Sequence, residues 1–389
     1  MFFIIALGVF LLMHGYVGWR IIPTLNLNSF QYVLAFVIVF IFSFMPLIPI
    51  LLRINGHESR LVDRLSFLGY TSLGFFTLSF LALLTKDVLV QCISIINRFI
   101  KIEQVADNSK REFLKQSVAG VSILGFTGIA SAYGLYNSRK GPTVIKQDIY
   151  LDRLPTEFEN FTIAQISDLH VGPTIKRPYV EDVLKSIGRI NPDLIAVTGD
   201  LVDGSVSYLR NELDPFKDMI ARYGTYFVTG NHEYYSGVGP WLDATDQLGM
   251  TNLVNTNQVI LKSNNKIAIA GITDFRAHQI QTNHKSDPQL ALSSLPKDII
   301  KIVLAHQPNS IHAVHDAGAD LQLSGHTHGG QFWPFTYAAR LANIYMAGHY
   351  DHYGTQIYVN RGTGYWGPPL RLGVPSEITL LRLKKNVKI

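Results

Sequence analysis

Cysteine is almost missing from this chain. The single Cys92 excludes an intramolecular disulfide framework and any zinc site built on thiolates. Charge is scarce too: only 16% of the 389 residues are Asp, Glu, Lys or Arg, against ~25% in a typical soluble domain. With a mean hydropathy of +0.16, this argues against a soluble composition throughout and directs attention to membrane segments. Acidic residues are the scarcer sign, 29 against 34 Lys and Arg, for a net charge of +5. Such an excess suits an anionic substrate, an anionic membrane surface or a topology signal. No nucleic-acid partner is expected.

Long uncharged runs are confined to the first part of the chain. Residues 2–19, 30–52, 65–85 and 116–138 lack charged side chains, and each reaches about the ~20 residues needed to cross ~30 Å of hydrocarbon. The first three are strongly apolar. The fourth, QSVAGVSILGFTGIASAYGLYNS, is rich in Gly, Ala and Ser. After Arg139 no comparable run follows. The expected organisation is a transmembrane region over 1–138, a basic Gly-Pro break at 139–143 (RKGPT) and a soluble domain over 143–389.

SKREFLK, residues 109–115, resembles a twin-arginine export signal with Lys110 where the first arginine would stand. Ala130-Ser131-Ala132 has the small-x-small form of a signal-peptidase site. The expectation is export of the following domain, with the twin-arginine machinery as candidate partner. Cleavage after Ala132 and an ordinary fourth membrane helix are the alternatives. With 86–115 cytoplasmic, Arg20, Lys86, Arg98, Lys101, Lys110, Arg111 and Lys115 lie inside, and Arg53, Arg60 and Arg64 outside. That bias is the one topology favours, although Arg139 and Lys140 count against it. It places the N-terminus and the C-terminal domain on the extracytoplasmic side of a multi-pass cell-membrane protein. His14, inside the first run, reads either as a functional intramembrane group or as a residue near a helix end.

In 143–389 several apolar runs stop at polar clusters. FTIAQISDLH ends in Asp168 and His170, and DLIAVTGD in Asp200. TYFVTGNHE ends in Asn231 and His232, IKIVLAH in His306, and DLQLSGHTH in His326 and His328. Helical patterns lie between them, such as Val180, Val183, Leu184, Ile187 and Ile190 after Pro178. Layered α/β sheets bind ligands beyond the carboxyl ends of their strands, so five strand tips would reach one rim. Any one of these residues reads more readily as a cap or a satisfied polar group. Together they would be costly to bury without a cation.

The donor set is carboxylate, imidazole and amide oxygen without thiolate, which suits Mn, Fe, Zn or Co. Seven candidate ligands suggest two divalent ions. Two ions ~3.5–4 Å apart can clamp phosphate oxygens and share a bridging water whose pKa falls toward ~7. Asp200, on the tight Gly199 turn, is the natural bridging carboxylate. His232 need not bind metal; protonated, it would stabilise developing charge or protonate a leaving oxygen.

These motifs resemble the calcineurin-like metallophosphoesterase superfamily: Asp168-x-His170, Gly199-Asp200-x-x-Asp203, Gly230-Asn231-His232-Glu233, His306 and Gly325-His326-x-His328. The resemblance covers roughly 145–389. SGHTHGGQ and the tail RGTGYWGPPLRLGVPSEITLLRL look like the bacterial branch of membrane-associated and twin-arginine-exported phosphoesterases. A UDP-2,3-diacylglucosamine pyrophosphatase lies near that branch. The resemblance implies an α/β fold, two mixed β-sheets in a sandwich flanked by helices. It implies that Asp168, His170 and His328 hold one metal, that Asn231, His306 and His326 hold the second, that Asp200 bridges and that His232 is the catalytic histidine. Asp203 and Glu233 would orient these ligands. The N-terminal helices are not required by that fold.

Three functions stay open: a membrane-anchored phosphoesterase acting on a monoester, diester or pyrophosphate; an enzyme for a lipid-linked substrate; and a catalytically silent sensor or scaffold, against which the intact ligand set argues. Residues 331–345, QFWPFTYAARLANIY, read either as an apolar lid facing lipid or an acyl chain, or as side chains packed beneath their loop. His278, His284, His312, His315, His349 and His352 belong to no motif and are expected to be structural or surface residues.

Overall fold

The computed structural model describes residues 2–100 and 109–386, without the side chains of 2–4, 6, 98 and 109–116. Lys101 of the charge-bias reading therefore lies outside the described residues, and of Arg98, Lys110, Arg111 and Lys115 only the backbone is described. The chain divides into two compact units, Met1–Tyr136 with Gly367–Leu370, and Asn137–Trp366 with Arg371–Ile389.

The first unit is helical: Phe2–Ile21, Ser29–Phe44, Leu47–Ile54, Arg60–Phe99 and Ser109–Arg139, the last running on into the second unit. Among the described residues, Ser29–Ile54, Arg60–Asn97 and Ser117–Arg139 are long and apolar enough to cross a membrane. Helix Phe2–Ile21 covers the first uncharged run. Asn28 starts the second helix by accepting from the Gln31 N–H at 2.9 Å while its own N–H donates to Gln31 Oε1 at 3.1 Å, a capping box. Pro46 splits that run in two, because it lacks the N–H a continuous helix needs. The third run extends into a helix of 40 residues, well past the uncharged stretch 65–85. Charged flanks do not stop a helix; they only mark where apolar cover ends. Arg20 pairs with Asp87 at 2.5 Å, and His14 donates from Nδ1 to the Phe10 carbonyl at 2.8 Å.

The second unit holds two six-stranded sheets. Its strands are β1 (Thr143–Leu151), β2 (Thr162–Ile166), β3 (Leu194–Thr198), β4 (Thr225–Val228), β5 (Thr251–Asn252), β6 (Thr256–Lys262), β7 (Asn265–Gly271), β8 (Ile300–Leu304), β9 (Leu321–Ser324), β10 (Gly348–His352), β11 (Thr355–Val359) and β12 (Glu377–Lys385). One sheet has the order β1-β12-β2-β3-β4-β5, the other β10-β11-β9-β8-β7-β6. Both are mixed: β12 against β2, β6 against β7 and β10 against β11 are antiparallel, and the remaining pairs parallel.

The apolar runs are continuous because the central strands are covered on both faces. In β3, Leu194 and Ala196 face the inter-sheet core with Ile163, Ile267, Ile302 and Leu321. Ile195 and Val197 face the other way, against Val180, Val183, Ile187 and Trp241 of the flanking helices. A smaller cluster around Val303, Ala305 and Val314 covers the outer face of the second sheet. β2, β3 and β4 lie side by side and parallel, as do β8 and β9. Their carboxyl ends are therefore delivered as two adjacent groups, one from each sheet.

Candidate metal centre

The loops after these five strands bring the eight residues together. His328 Nε2 is 3.1 Å from His170 Nε2 and 3.4 Å from Asp168 Oδ1. On the other side, His306 Nε2 is 3.1 Å from Asp200 Oδ2 and 3.2 Å from His326 Nδ1. Asp200 Oδ2 is also 3.8 Å from His170 Nε2, so this carboxylate stands between the two groups. Donor atoms of Asp168, His170 and His328 all lie within 4.8 Å of one another, as do those of Asp200, His306 and His326. Ions with bonds of ~2.0–2.2 Å span such spacings. Asn231 Oδ1 is buried without a hydrogen-bond partner. A buried acceptor left open in this way is costly, and an adjacent cation would satisfy it.

The backbone is bent to present these groups. Asp168, His170, Asp200, His326 and His328 all take the left-handed conformation, with φ between 50° and 68°. Non-glycine residues visit that region uncommonly, Asp, Asn and His among the more tolerant, and clusters of them mark functional sites. Two glycines permit the crowding. A Cβ on Gly325 would overlap Ser167 Oγ and Asp168 Oδ2, and one on Gly230 would overlap Asp200 Oδ1.

Glu233 ties the first-sheet loops together. Its buried carboxylate accepts from the N–H groups of Gly230 (2.6 Å), Leu201 (2.8 Å), Asp200 (3.0 Å) and Val202 (3.3 Å). Asp168 accepts from the His326 N–H at 2.9 Å, joining the β2 and β9 loops. His306 Nδ1 donates to the Thr198 carbonyl at 2.8 Å, which turns Nε2 toward Asp200. Asp203 Oδ1 is 3.2 Å from His232 Nδ1 and holds that ring.

Proton affinities differ across the cluster. Burial pushes His170 and His326 down to about 3 and His328 well below the usual imidazole range, so these rings are neutral with lone pairs available. Burial opposes protonation of His306 and His232 as well. At His306 the Asp200 carboxylate outweighs it and raises the ring's proton affinity, so a cation at Nε2 would have to displace that proton. At His232 the carboxylates of Asp200 and Asp203 raise the ring to about 9.

A family model described as calcineurin-like phosphoesterase matches residues 161–330. A transmembrane protein with metallophosphoesterase domain from Danio rerio is 33% identical over 332 residues, 82% of this chain and 74% of that protein. An uncharacterized metallophosphoesterase from Helicobacter pylori is 37% identical over 281 residues, 71% of this chain and 73% of that protein. YkuE of Bacillus subtilis, also an uncharacterized metallophosphoesterase, is 31% identical over 289 residues, 72% of this chain and 98% of its own. The chain belongs to the calcineurin-like metallophosphoesterase family. It is a metal-dependent phosphoesterase.

The metallophosphoesterase unit also contains residues that the motifs do not reveal. Arg371 is 1% exposed. It donates to the carbonyls of His328 (3.0 Å) and Arg361 (2.9 Å) and to His328 Nδ1 (3.2 Å), fixing both backbone and ring of that histidine. It lies inside the Gly- and Pro-rich tail, where local pattern is weakest. A sixth strand tip, after β7, carries Asp274, buried and accepting from Gln307 Nε2 at 2.8 Å next to His306. The run KIAIAGITD ends in a polar residue as the other five do, so that signal was available. Four of the six histidines outside the motifs have hydrogen-bond partners: His284 with Tyr234, His315 with Thr355, His349 with Gln356 and His352 with Tyr345.

Proposed function

We propose that this metallophosphoesterase cleaves its phosphate ester at the cluster just described. In this reading Asp168, His170 and His328 would hold one divalent cation, Asn231, His306 and His326 would hold another, and Asp200 would serve both. The single observation that carries it is that two donor groups, Asp168–His170–His328 and Asp200–His306–His326, lie side by side with Asp200 Oδ2 3.8 Å from His170 Nε2. The donor set favours Mn, Fe, Zn or Co. Such cations, when bound, polarise a phosphoryl oxygen and make a water acidic enough to attack near neutral pH. His232 supplies the proton to the leaving oxygen. One ring nitrogen is held by Asp203, whose carboxylate favours the protonated ring. Glu233 and Asp203 position these groups. The test uses the full chain in detergent with manganese and bis(p-nitrophenyl) phosphate. Asp200→Ala should abolish hydrolysis and His232→Ala should lower it by about 10²–10⁴. Full activity in both variants refutes the mechanism.

The chain is further proposed to be a multi-pass membrane protein, with residues 1–138 as the membrane region and 143–389 as the catalytic domain outside the cytoplasm. Its three described apolar helical segments and the Lys and Arg bias support this. A narrower reading, a lipid-linked phosphodiester or pyrophosphate similar to a nucleotide-sugar lipid, draws on the loop after SGHTHGG. Trp333, Phe335, Tyr337 and Leu341 of that loop stand exposed, Leu341 by 92%, instead of packing beneath it. Exposed apolar patches next to a site mark ligand or membrane contacts. Faster turnover of detergent-dispersed lipid phosphodiesters than of soluble ones supports the narrower reading, and equal rates reject it.

A further inference from the structure

Two large aromatic side chains flank His232 without being buried. The Tyr235 ring lies 5.3 Å from the His232 ring, at 70° to it, and is 66% exposed. The Trp366 ring lies 5.4 Å from it, at 67°, and is 51% exposed. They come from distant parts of the chain. Tyr235 sits on the short helix Asn231–Ser236 that carries His232. Trp366 sits in the tail, and its backbone is clamped. Its N–H donates to Gln331 Oε1 at 3.0 Å, and its carbonyl accepts from Gln331 Nε2 at 2.9 Å. Gln331 is itself buried, with φ of 57°, directly after the SGHTHGG turn.

A tryptophan held by its backbone while half of its side chain meets water is not serving the core. Tyr235, on the short helix that carries His232, is likewise largely exposed, with its hydroxyl hydrogen-bonded to the Asn231 side chain. Solvent-facing aromatic rings beside a catalytic group offer large, rigid apolar area at little entropic cost, the feature that makes Trp and Tyr dominate binding hot spots. We propose that Tyr235 and Trp366 form an aromatic slot that receives a planar or apolar organic group attached to the phosphate. They are thus the residues that select the ester beyond its phosphoryl group. This rests on the reading of His232 as the proton donor, because that donor fixes where the organic group must lie. The slot favours aryl or hydrocarbon-bearing phosphate esters over small alkyl phosphates and inorganic pyrophosphate.

The experiment compares inhibition by phenylphosphonate and methylphosphonate, with bis(p-nitrophenyl) phosphate as substrate, manganese-loaded full-length chain in detergent, and metal content measured on every sample. Wild type should bind phenylphosphonate about tenfold more tightly, the discrimination expected of one or two aromatic contacts. In Tyr235→Ala and Trp366→Ala that ratio should fall toward one, with metal content retained. Trp366→Phe should keep most of it. A ratio unchanged in both alanine variants overturns the slot, and so does a wild type with no preference, whatever the variants do. If the wild-type chain neither hydrolyses the diester nor is inhibited by either phosphonate, the catalytic reading of the cluster fails and the slot with it. Hydrolysis with a ratio near one removes the slot alone.

Discussion

Glu233 provides the sharpest test of how the centre is held. Its two oxygens divide their work: Oε1 accepts from the Leu201 and Val202 N–H groups, and Oε2 from those of Asp200 and Gly230. Glu233→Gln keeps one oxygen and turns the other into an amide nitrogen facing two N–H donors. Two of the four bonds are lost, and two buried donors lose their acceptor. Hydrogen bonds to a charged group contribute about 1.5–3 kcal/mol each. The longest bond, at 3.3 Å, counts least. The Gln variant should therefore lose about 3 kcal/mol and Glu233→Ala about 6 kcal/mol. At roughly 3 °C per kcal/mol for a unit of this size, Gln lowers Tm by about 10 °C. The assay is thermal unfolding of the full chain in detergent, followed by tryptophan fluorescence with buried Trp241 as a reporter. Excess chelator removes metal stabilisation from the comparison. The work is done at pH 8, because burial and the neighbouring Asp200 push the Glu233 carboxyl up to about 7 and it must be ionised to accept all four bonds. A Gln variant that melts within about two degrees of wild type would refute the clamp, since that corresponds to no more than about one kcal/mol at ~2–4 °C per kcal/mol.

Two further outcomes follow from the geometry. Gly325→Ala drives a methyl group into Ser167 Oγ and Asp168 Oδ2, an overpacking cost of about 1–3 kcal/mol; elemental analysis should find about one equivalent of metal lost, and retention of both would show that the Asp168 tip can yield. An epitope tag fused after Ile389 should be removed by protease added to cells whose cytoplasmic membrane is intact, and a protected tag would overturn the extracytoplasmic placement.

The fold and the site were legible in the sequence to different depths. β3 reads as a covered strand because both its faces are core, Leu194 and Ala196 against the opposite sheet and Ile195 and Val197 against helices. The parallel pairing of β1 with β12 is not readable locally, because it joins Thr143 to Glu377 across most of the domain. In the helical unit, apolar runs locate candidate spans but not helix ends: Pro46 breaks one run, and the helix Arg60–Phe99 continues past its charged residues. At the site, residue types at strand tips are visible as composition. Groups that act on backbone are not: Arg371 binds carbonyls, so neither spacing nor charge pattern announces it.

The backbone geometry carries the deeper reason. Five of the eight clustered residues have φ above 50° or at it, and each such departure costs on the order of 1–3 kcal/mol unless the surroundings impose it. The surroundings do so here through ladder-like bonds that continue past the strand ends. The Asp168 N–H donates to the Gly199 carbonyl at 3.0 Å, His170 to Asp200 at 3.0 Å, and Gly325 to His306 at 2.9 Å. These backbone bonds continue the strand pairing into the loops that carry the donors. Strain of this kind, distributed over three loops, leaves no mark on the type of any one residue. It explains why the motifs need conformationally tolerant residues at Asp168 and Asp200, whereas Gly230 and Gly325 are required because a Cβ there would strike the Asp200 and Asp168 carboxylates.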